Sequence, residues 1–340
     1  MGTAQLEQIN VGICAGAVQT MHTNEAAGNL SALTGLPNEL VTIAVGRSSG
    51  ALGGVNPVPA MREALKSGRI DVAIHCVDEM PFDHSEHGLT YITPRRGSIK
   101  EALCTTSGAE MAALPRGSRV SADTDLRAAT LRALRPDLEV VETFGTLAQR
   151  LNQLVAPGAD LDAAIVSYAD LATIRRTELV TEVLNFDTLP PVAGQGAVAI
   201  EVRNDLLKGN PKLKTAFEKL DHKPTRMGIR AERALVYRLL EHGCTQPVAA
   251  WGRVEGSDLV LSACIIPLGG AEQLRHQSRV SLPSEAQLAK ATPAELDGIS
   301  TALGHRVADR LLAQGATQLN QTDPKVPTGV ATRRRTQSAG

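Results

Sequence analysis

Short β-branched runs alternate with amphipathic helical stretches twice over in this chain, and that alternation leaves few folds open. Val11-Gly12-Ile13, residues 41–45 and residues 70–74 read as strands, with a helical pattern over 59–65 between the last two. Pro59 suits a first helical turn, where its missing N–H is not needed, and Gly68 suits the left-handed residue that closes a helix. A second set runs from Arg119-Val120 through Glu139-Val140-Val141 to residues 162–166, with helices near 126–134 and 146–154. The break at Pro190-Pro191-Val192-Ala193-Gly194-Gln195-Gly196 precedes an apolar strand over 197–200, which marks a crossover between lobes. From about Pro224 the pattern changes to a helix over 231–240, short strands over 248–251 and 259–265, and a closing helix. Leu303, Val307 and Leu311 share one face of that last helix, and Gly315 ends it.

With 340 residues, 43% of them hydrophobic, the chain can build more than one core. Aromatic residues make up only 2%, so those cores are aliphatic, which suits helices packed on sheets. The expected class is α/β, with a first domain from 8–94 and 195–218, a second from 97–190, a smaller C-terminal domain from 222–320, and a disordered tail over 321–340. Lys and Arg number 35 against 36 Asp and Glu, which gives no reason to expect nucleic acid or an anionic membrane as partner. The five cysteines, Cys14, Cys76, Cys104, Cys244 and Cys264, form no CxxC pair and are odd in number, which argues against a disulfide framework or a zinc site. With no signal-like start and no long apolar run, a cytoplasmic, soluble monomer is expected.

Arg230-Ala231-Glu232-Arg233-Ala234, followed by Gly243-Cys244-Thr245-Gln246-Pro247-Val248, resembles the hydroxymethylbilane synthase (porphobilinogen deaminase) pattern of an A-E-R helix leading to a G-C-x-x-P loop. Residues 191–201, Arg135-Pro136-Asp137-Leu138 and residues 70–75 join it in the family's order, so the resemblance spans roughly 8–320. It implies two lobes like those of periplasmic binding proteins plus a C-terminal α/β domain. It also implies a dipyrromethane cofactor held through Cys244, and a reaction that joins four porphobilinogen units with loss of ammonia for tetrapyrrole synthesis. The Gly243 and Pro247 positions further suggest a short irregular loop that presents the thiol. The other four cysteines read as structural.

Against this pattern the site looks degenerate. The family's H-S-x-K-D-x-P becomes His75-Cys76-Val77-Asp78-Glu79-Met80-Pro81. Glu79 keeps the catalytic carboxylate with one more methylene, and a misplacement of about 1 Å can cost roughly 10²-fold in rate. Asp78 reverses the family's lysine. Of T-R-x-S there remains Ile13-Cys14-Ala15-Gly16; of G-T-S-S-x-R-R there remain Thr124 and the second arginine, Arg127, with Leu126 in place of the first. Val141 and Phe144 fall where R-S-x-R-G-N would stand, Arg150 matches, and Thr173 stands near a further arginine position with Arg175 and Arg176 close by. The Gly-rich stretch 48–57 lacks the lysine of the family's lid loop and is no P-loop.

The resemblance therefore implies Glu79 as acid/base and Cys244, Arg127, Arg150, Asp78 and Thr124 around the cofactor. Porphobilinogen carries two carboxylates, so a growing chain needs cationic forks. Each unpaired buried charge costs about 2–5 kcal/mol. Three readings follow: the deaminase reaction itself; a catalytically impaired paralogue acting as a binding or regulatory module; and a binder of some other small ligand between the lobes.

Overall fold

A computed structural model describes residues 6–14, 17–44, 56–82, 88–143, 145–270 and 272–321. The first lobe opens with β1 (Ile9–Ile13), α1 (Ala17–Thr34), β2 (Asn38–Thr42), α2 (Val58–Lys66), β3 (Val72–Cys76) and β4 (Leu89–Ile92). The chain then crosses to β5 (Glu101–Thr105), β6 (Arg119–Ala122), α3 (Asp125–Leu134), β7 (Glu139–Glu142), α4 (Leu147–Val155), β8 (Ala163–Ser167), α5 (Tyr168–Thr173) and β9 (Val180–Leu184). It returns through β10 (Val198–Arg203), α6 (Asn204–Gly209) and α7 (Pro211–Leu220). The C-terminal part holds α8 (Lys223–Glu241), β11 (Val248–Glu255), β12 (Asp258–Ile265), β13 (Leu274–Ser281), α9 (Glu285–Lys290) and α10 (Pro293–Ala313).

The two lobes repeat one sheet plan. Strand orders are β2-β1-β3-β10-β4 and β7-β6-β8-β5-β9. In each, three strands run parallel and the fourth, β10 or β5, lies antiparallel to both neighbours. Helices cover both faces, as a mostly buried sheet requires. In the first lobe Ala26, Leu30 and Phe217 pack on one side, and Met61 and Leu65 on the other. In the second, Ala128 and Leu131 of α3 oppose Leu151 and Leu154 of α4. The third sheet, β11-β12-β13, is antiparallel; Leu235 and Leu239 of α8 pack against it with Leu303, Val307 and Leu311 of α10.

Local signals explain most boundaries. Gly68, with φ +75°, donates its N–H to the Leu65 carbonyl (3.1 Å) and closes α2. Ile70 completes that turn, donating to the Ala64 carbonyl (3.2 Å), so the strand expected over 70–74 starts at Val72. The strand expected over 41–45 is shifted too: Asn38 anchors its start by donating to the Ala27 carbonyl (2.6 Å), and it ends at Thr42. The helix expected over 231–240 begins at Lys223, because His222 accepts the Thr225 N–H and Pro224 fits the first turn. Among the described residues no helix is long and apolar enough to cross a membrane. The glycine-rich stretch falls mostly, and the tail beyond Gln321 wholly, outside the described residues.

One buried carboxylate joins the parts. Glu232 of α8 is fully buried and accepts from the Arg96 guanidinium in the outward crossover, from the Gly194 N–H in the return crossover (2.7 Å), and from the Gly252 N–H of β11 (2.7 Å). Close approach makes the last contact possible: Gly228 of α8 and Gly252 lie backbone to backbone, and a Cβ on either would collide with the other's carbonyl. Glu232→Ala is expected to lower unfolding free energy by about 3–5 kcal/mol, since it strands Arg96. Glu218→Ala, which removes an exposed pair with Lys214, should cost under about 1 kcal/mol; urea melts compare the two.

Candidate active site

A cleft of about 1060 Å³ opens where the carboxyl ends of both sheets face each other. Its first wall carries Cys14 after β1, residues 42–44 after β2, and Cys76, Asp78 and Glu79 at the end of β3. The facing wall carries residues 123–127 after β6, Gly145 to Arg150 at the start of α4, and Asp170 of α5. The C-terminal part closes one end with Gln246, Pro247 and Val248, the residues just after Cys244.

The turn bearing Asp78 and Glu79 is a single 3-10 turn, Val77–Glu79, held from behind. The Val77 N–H donates to the Ala197 carbonyl (3.0 Å). Arg233, almost fully buried, donates to the carbonyls of Val77 (3.1 Å), Met80 (3.4 Å) and Pro81 and stacks over the Phe82 ring (5.2 Å). Gly194, with φ +91°, passes so close that a Cβ there would lie 2.9 Å from Val77 Cγ1. The A-E-R and G-Q-G motifs of the sequence thus meet behind this turn. Glu201 of β10 adds a buried cluster, accepting from Arg62 (3.0 and 2.9 Å) and lying 3.2 Å from His75 Nε2.

Both retained arginines are buried and already hold carboxylates. Arg127 forks Glu101 (3.0 and 2.9 Å) and reaches Asp123 (2.5 Å), while Arg150 pairs with the other oxygen of Asp123. Desolvation opposes the charge of Arg127, but Asp123 and Glu101 outweigh it and raise its pKa; burial lowers that of Arg150. Desolvation also works against Asp123, yet the two arginines hold it below the usual carboxylate range. Thr124 caps α3 by accepting the Arg127 N–H (3.2 Å). Leu126 is buried. Arg176 pairs with Glu178 (2.6 Å), and neither it nor Arg175 is among the described residues that line the cleft. Phe144 lies outside the described residues.

Among the described lining residues, Asp78, Glu79, Asp123, Asp125 and Asp170 give five carboxylates against Arg127 and Arg150. Desolvation in the cleft, reinforced by Asp170, pushes Asp78 up to about 6 even though its side chain opens onto the cleft. Desolvation likewise raises Asp170 to about 6 against the pull of Arg127. His22 on the same wall is lowered, mainly by burial, and adds no firm positive charge.

The expectation of a presented thiol is corrected. Cys244 is 1% exposed and packs in the C-terminal core, and burial raises its pKa. Its N–H donates to the Leu239 carbonyl (2.9 Å), continuing the end of α8 inward. Asn320 clasps the loop, accepting from the Thr245 N–H (3.2 Å) and hydroxyl (3.0 Å) and donating to the Gly243 carbonyl (2.7 Å). Cys14 and Cys76, read as structural, line the cleft instead, whereas Cys104 and Cys264 are buried strand residues. Asp170, Asp123 and Gln246 were not singled out from sequence; only their places after β8, after β6 and after the cysteine could have marked them.

Two buried donors on the cleft wall, Arg150 Nε and Gln246 Nε2, have no hydrogen-bond partner among the described residues. Orphaned donors of this kind call for an acceptor, which a carboxylated pyrrole would supply, and the volume accommodates a small oligopyrrole. The donors and the space therefore fit a dipyrromethane, while the carboxylates on the same walls oppose its charge.

Residues 58–209 match the family profile described as porphobilinogen deaminase, dipyromethane cofactor binding domain. A porphobilinogen deaminase of Thermobifida fusca is 35% identical over 310 residues, covering 88% of this chain and 92% of its own. One of Leifsonia xyli is 31% identical, covering 94% and 96%. Among solved structures, a methionine-bound nutrient binding protein of Burkholderia cenocepacia aligns over 62% of this chain and 91% of its own, with TM-score 0.38 and 15% identity. An arginine-specific periplasmic binding protein of Salmonella typhimurium aligns over 63% and 93%, with TM-score 0.39 and 13% identity. On the strength of the two full-length relatives, the chain belongs to the porphobilinogen deaminase family.

Proposed function

We propose that this chain carries out the family's reaction in the cytoplasm as a monomer, joining four porphobilinogen units with release of ammonia on a dipyrromethane attached at Cys244. The observation that carries this reading is the convergence on one cleft of Glu79, Arg150 and the loop after Cys244, with two buried donors left over for an acceptor. Dipyrromethane, when bound, supplies the pyrrole carbon to which the next unit is joined. Glu79 stabilises the cation left as ammonia departs and moves the pyrrole proton. Arg150 Nε and Gln246 Nε2 orient carboxylates, with Arg127 behind them and Thr124 fixing the start of α3. Asp78 lies beside Glu79 on the same wall, where its carboxylate favours a cationic group over an anionic one. Arg233 is a positioning residue: it touches no substrate and fixes the turn that aims Glu79.

The five carboxylates of the cleft favour a second reading, in which the chain holds a ligand without turning over. Intact-protein mass spectrometry separates the two. The deaminase reading expects an added mass of two porphobilinogen units less two ammonia, lost in Cys244→Ser, and porphobilinogen consumption that falls by about 10²–10⁴ in Glu79→Gln. A bare chain that consumes no porphobilinogen overturns it.

The acidic wall also sets a pH dependence. Asp78 and Asp170 titrate near 6, above the ordinary 3.8, so both are neutral below that pH and ionised above it. As pH falls from 7 to 5 both carboxylates go from mostly ionised to mostly neutral, and affinity for porphobilinogen is expected to rise by roughly tenfold. Asp78→Asn with Asp170→Asn should flatten that profile in calorimetric titrations at pH 5, 6 and 7.

A further inference from the structure

A second cavity, of about 510 Å³, shares none of its described lining residues with the cleft. Its walls come from both crossovers, the start of α8 and β11. The chain fills its cores with aliphatic residues and has one tryptophan and four phenylalanines, yet Trp251 and Phe186 meet here. Their ring centroids are 5.7 Å apart, both are half-buried, and neither belongs to any of the buried apolar clusters. Partly covered rings at a cavity wall gain most from a flat apolar partner, which buries their remaining surface.

The polar groups indicate what such a partner carries. Arg253 lies 3.9 Å over the Trp251 ring and is fixed by Glu255 (2.5 Å) and Ser262 (3.0 Å). Arg96 is held by Glu232. His222 uses Nδ1 on Thr225 (2.8 Å). That leaves Lys100, which forms no ion pair among the described residues, and Asp187, the one carboxylate among the described lining residues. Lys100 gives the lining one ammonium for an anionic group, with the exposed Asp187 opposing it, and the two rings give a surface for a flat partner.

We infer that this cavity is a binding site for a planar aromatic carboxylate, with its ring against Phe186 and Trp251 and its carboxylate at Lys100. The inference does not depend on whether the cleft turns over porphobilinogen. The test uses 2-naphthoate and its uncharged amide on the full chain. Binding is read by calorimetry and by the indole N–H signal of Trp251, which is the only tryptophan signal in an amide correlation spectrum. Naphthoate should shift that signal saturably, and Phe186→Ala should weaken binding about tenfold. Because Lys100 is exposed, the amide should bind only about two- to fivefold more weakly, and Lys100→Gln should remove that difference. An unmoved indole signal, equal binding of acid and amide, or an unaltered affinity in Phe186→Ala would overturn the proposal.

Discussion

The rest of the molecule depends on the carboxylate of Glu232. Burying one ion costs several kcal/mol, and only a full set of donors offsets it. Here the donors come from three separate stretches: the outward crossover through Arg96, the return crossover through Gly194, and β11 through Gly252. Satisfying one charge therefore fixes where both crossovers pass and where the third sheet docks. Arg233, its neighbour on α8, extends the same geometry to the turn that carries Asp78 and Glu79. The cleft is thus placed from behind, by a helix that belongs to neither lobe.

Charge within the cleft follows a different logic from its shape. Arg127 and Arg150 line the cleft, but Asp123 lies between them and Glu101 takes the far side of Arg127. Two cations and two carboxylates sum to zero, so an incoming anion gains from these arginines only by displacing a carboxylate or by using a donor that is still open. Asp123, held ionised by both arginines, resists displacement. What remains is Arg150 Nε and Gln246 Nε2, neutral in their effect on the balance and directional rather than long-range. Recognition in this cleft rests on hydrogen-bond geometry more than on field.

The sequence made the repeated βαβ grammar legible because its strands are β-branched runs and its helices have clear ends, such as Gly68 after α2 and Thr146 before α4. α1 escaped notice for a physical reason: its buried face is built from Ala26, Ala27, Leu30, Thr23 and Thr34, too short and too polar to mark a period. β4 and β9 are edge strands in which only the last residue, Ile92 or Leu184, is buried, so alternation is weak there too. Motif reading singled out Glu79, Arg127, Arg150 and Cys244, yet it could not show that Asp123 engages both arginines and Glu101 engages Arg127. Those pairs join Glu101 to Arg127 and Asp123 to Arg150, residues far apart in sequence that sheet order brings together and local pattern does not encode.

The position of Cys244 shows how far a loop can be read apart from its side chain. Gly243 at φ +82° turns the chain, and the residues that follow reach the cleft, yet the thiol points back into the core. A thioether at that sulfur has to leave past Gln246 and Pro247. Under the proposed reaction the loop must therefore open first, against the burial of a small apolar side chain and the three hydrogen bonds of Asn320. Burial also raises the pKa of the sulfur, so opening the loop favours the nucleophilic thiolate. Under that proposal attachment would be a gated step, with the Asn320 turn that follows α10 holding the loop closed.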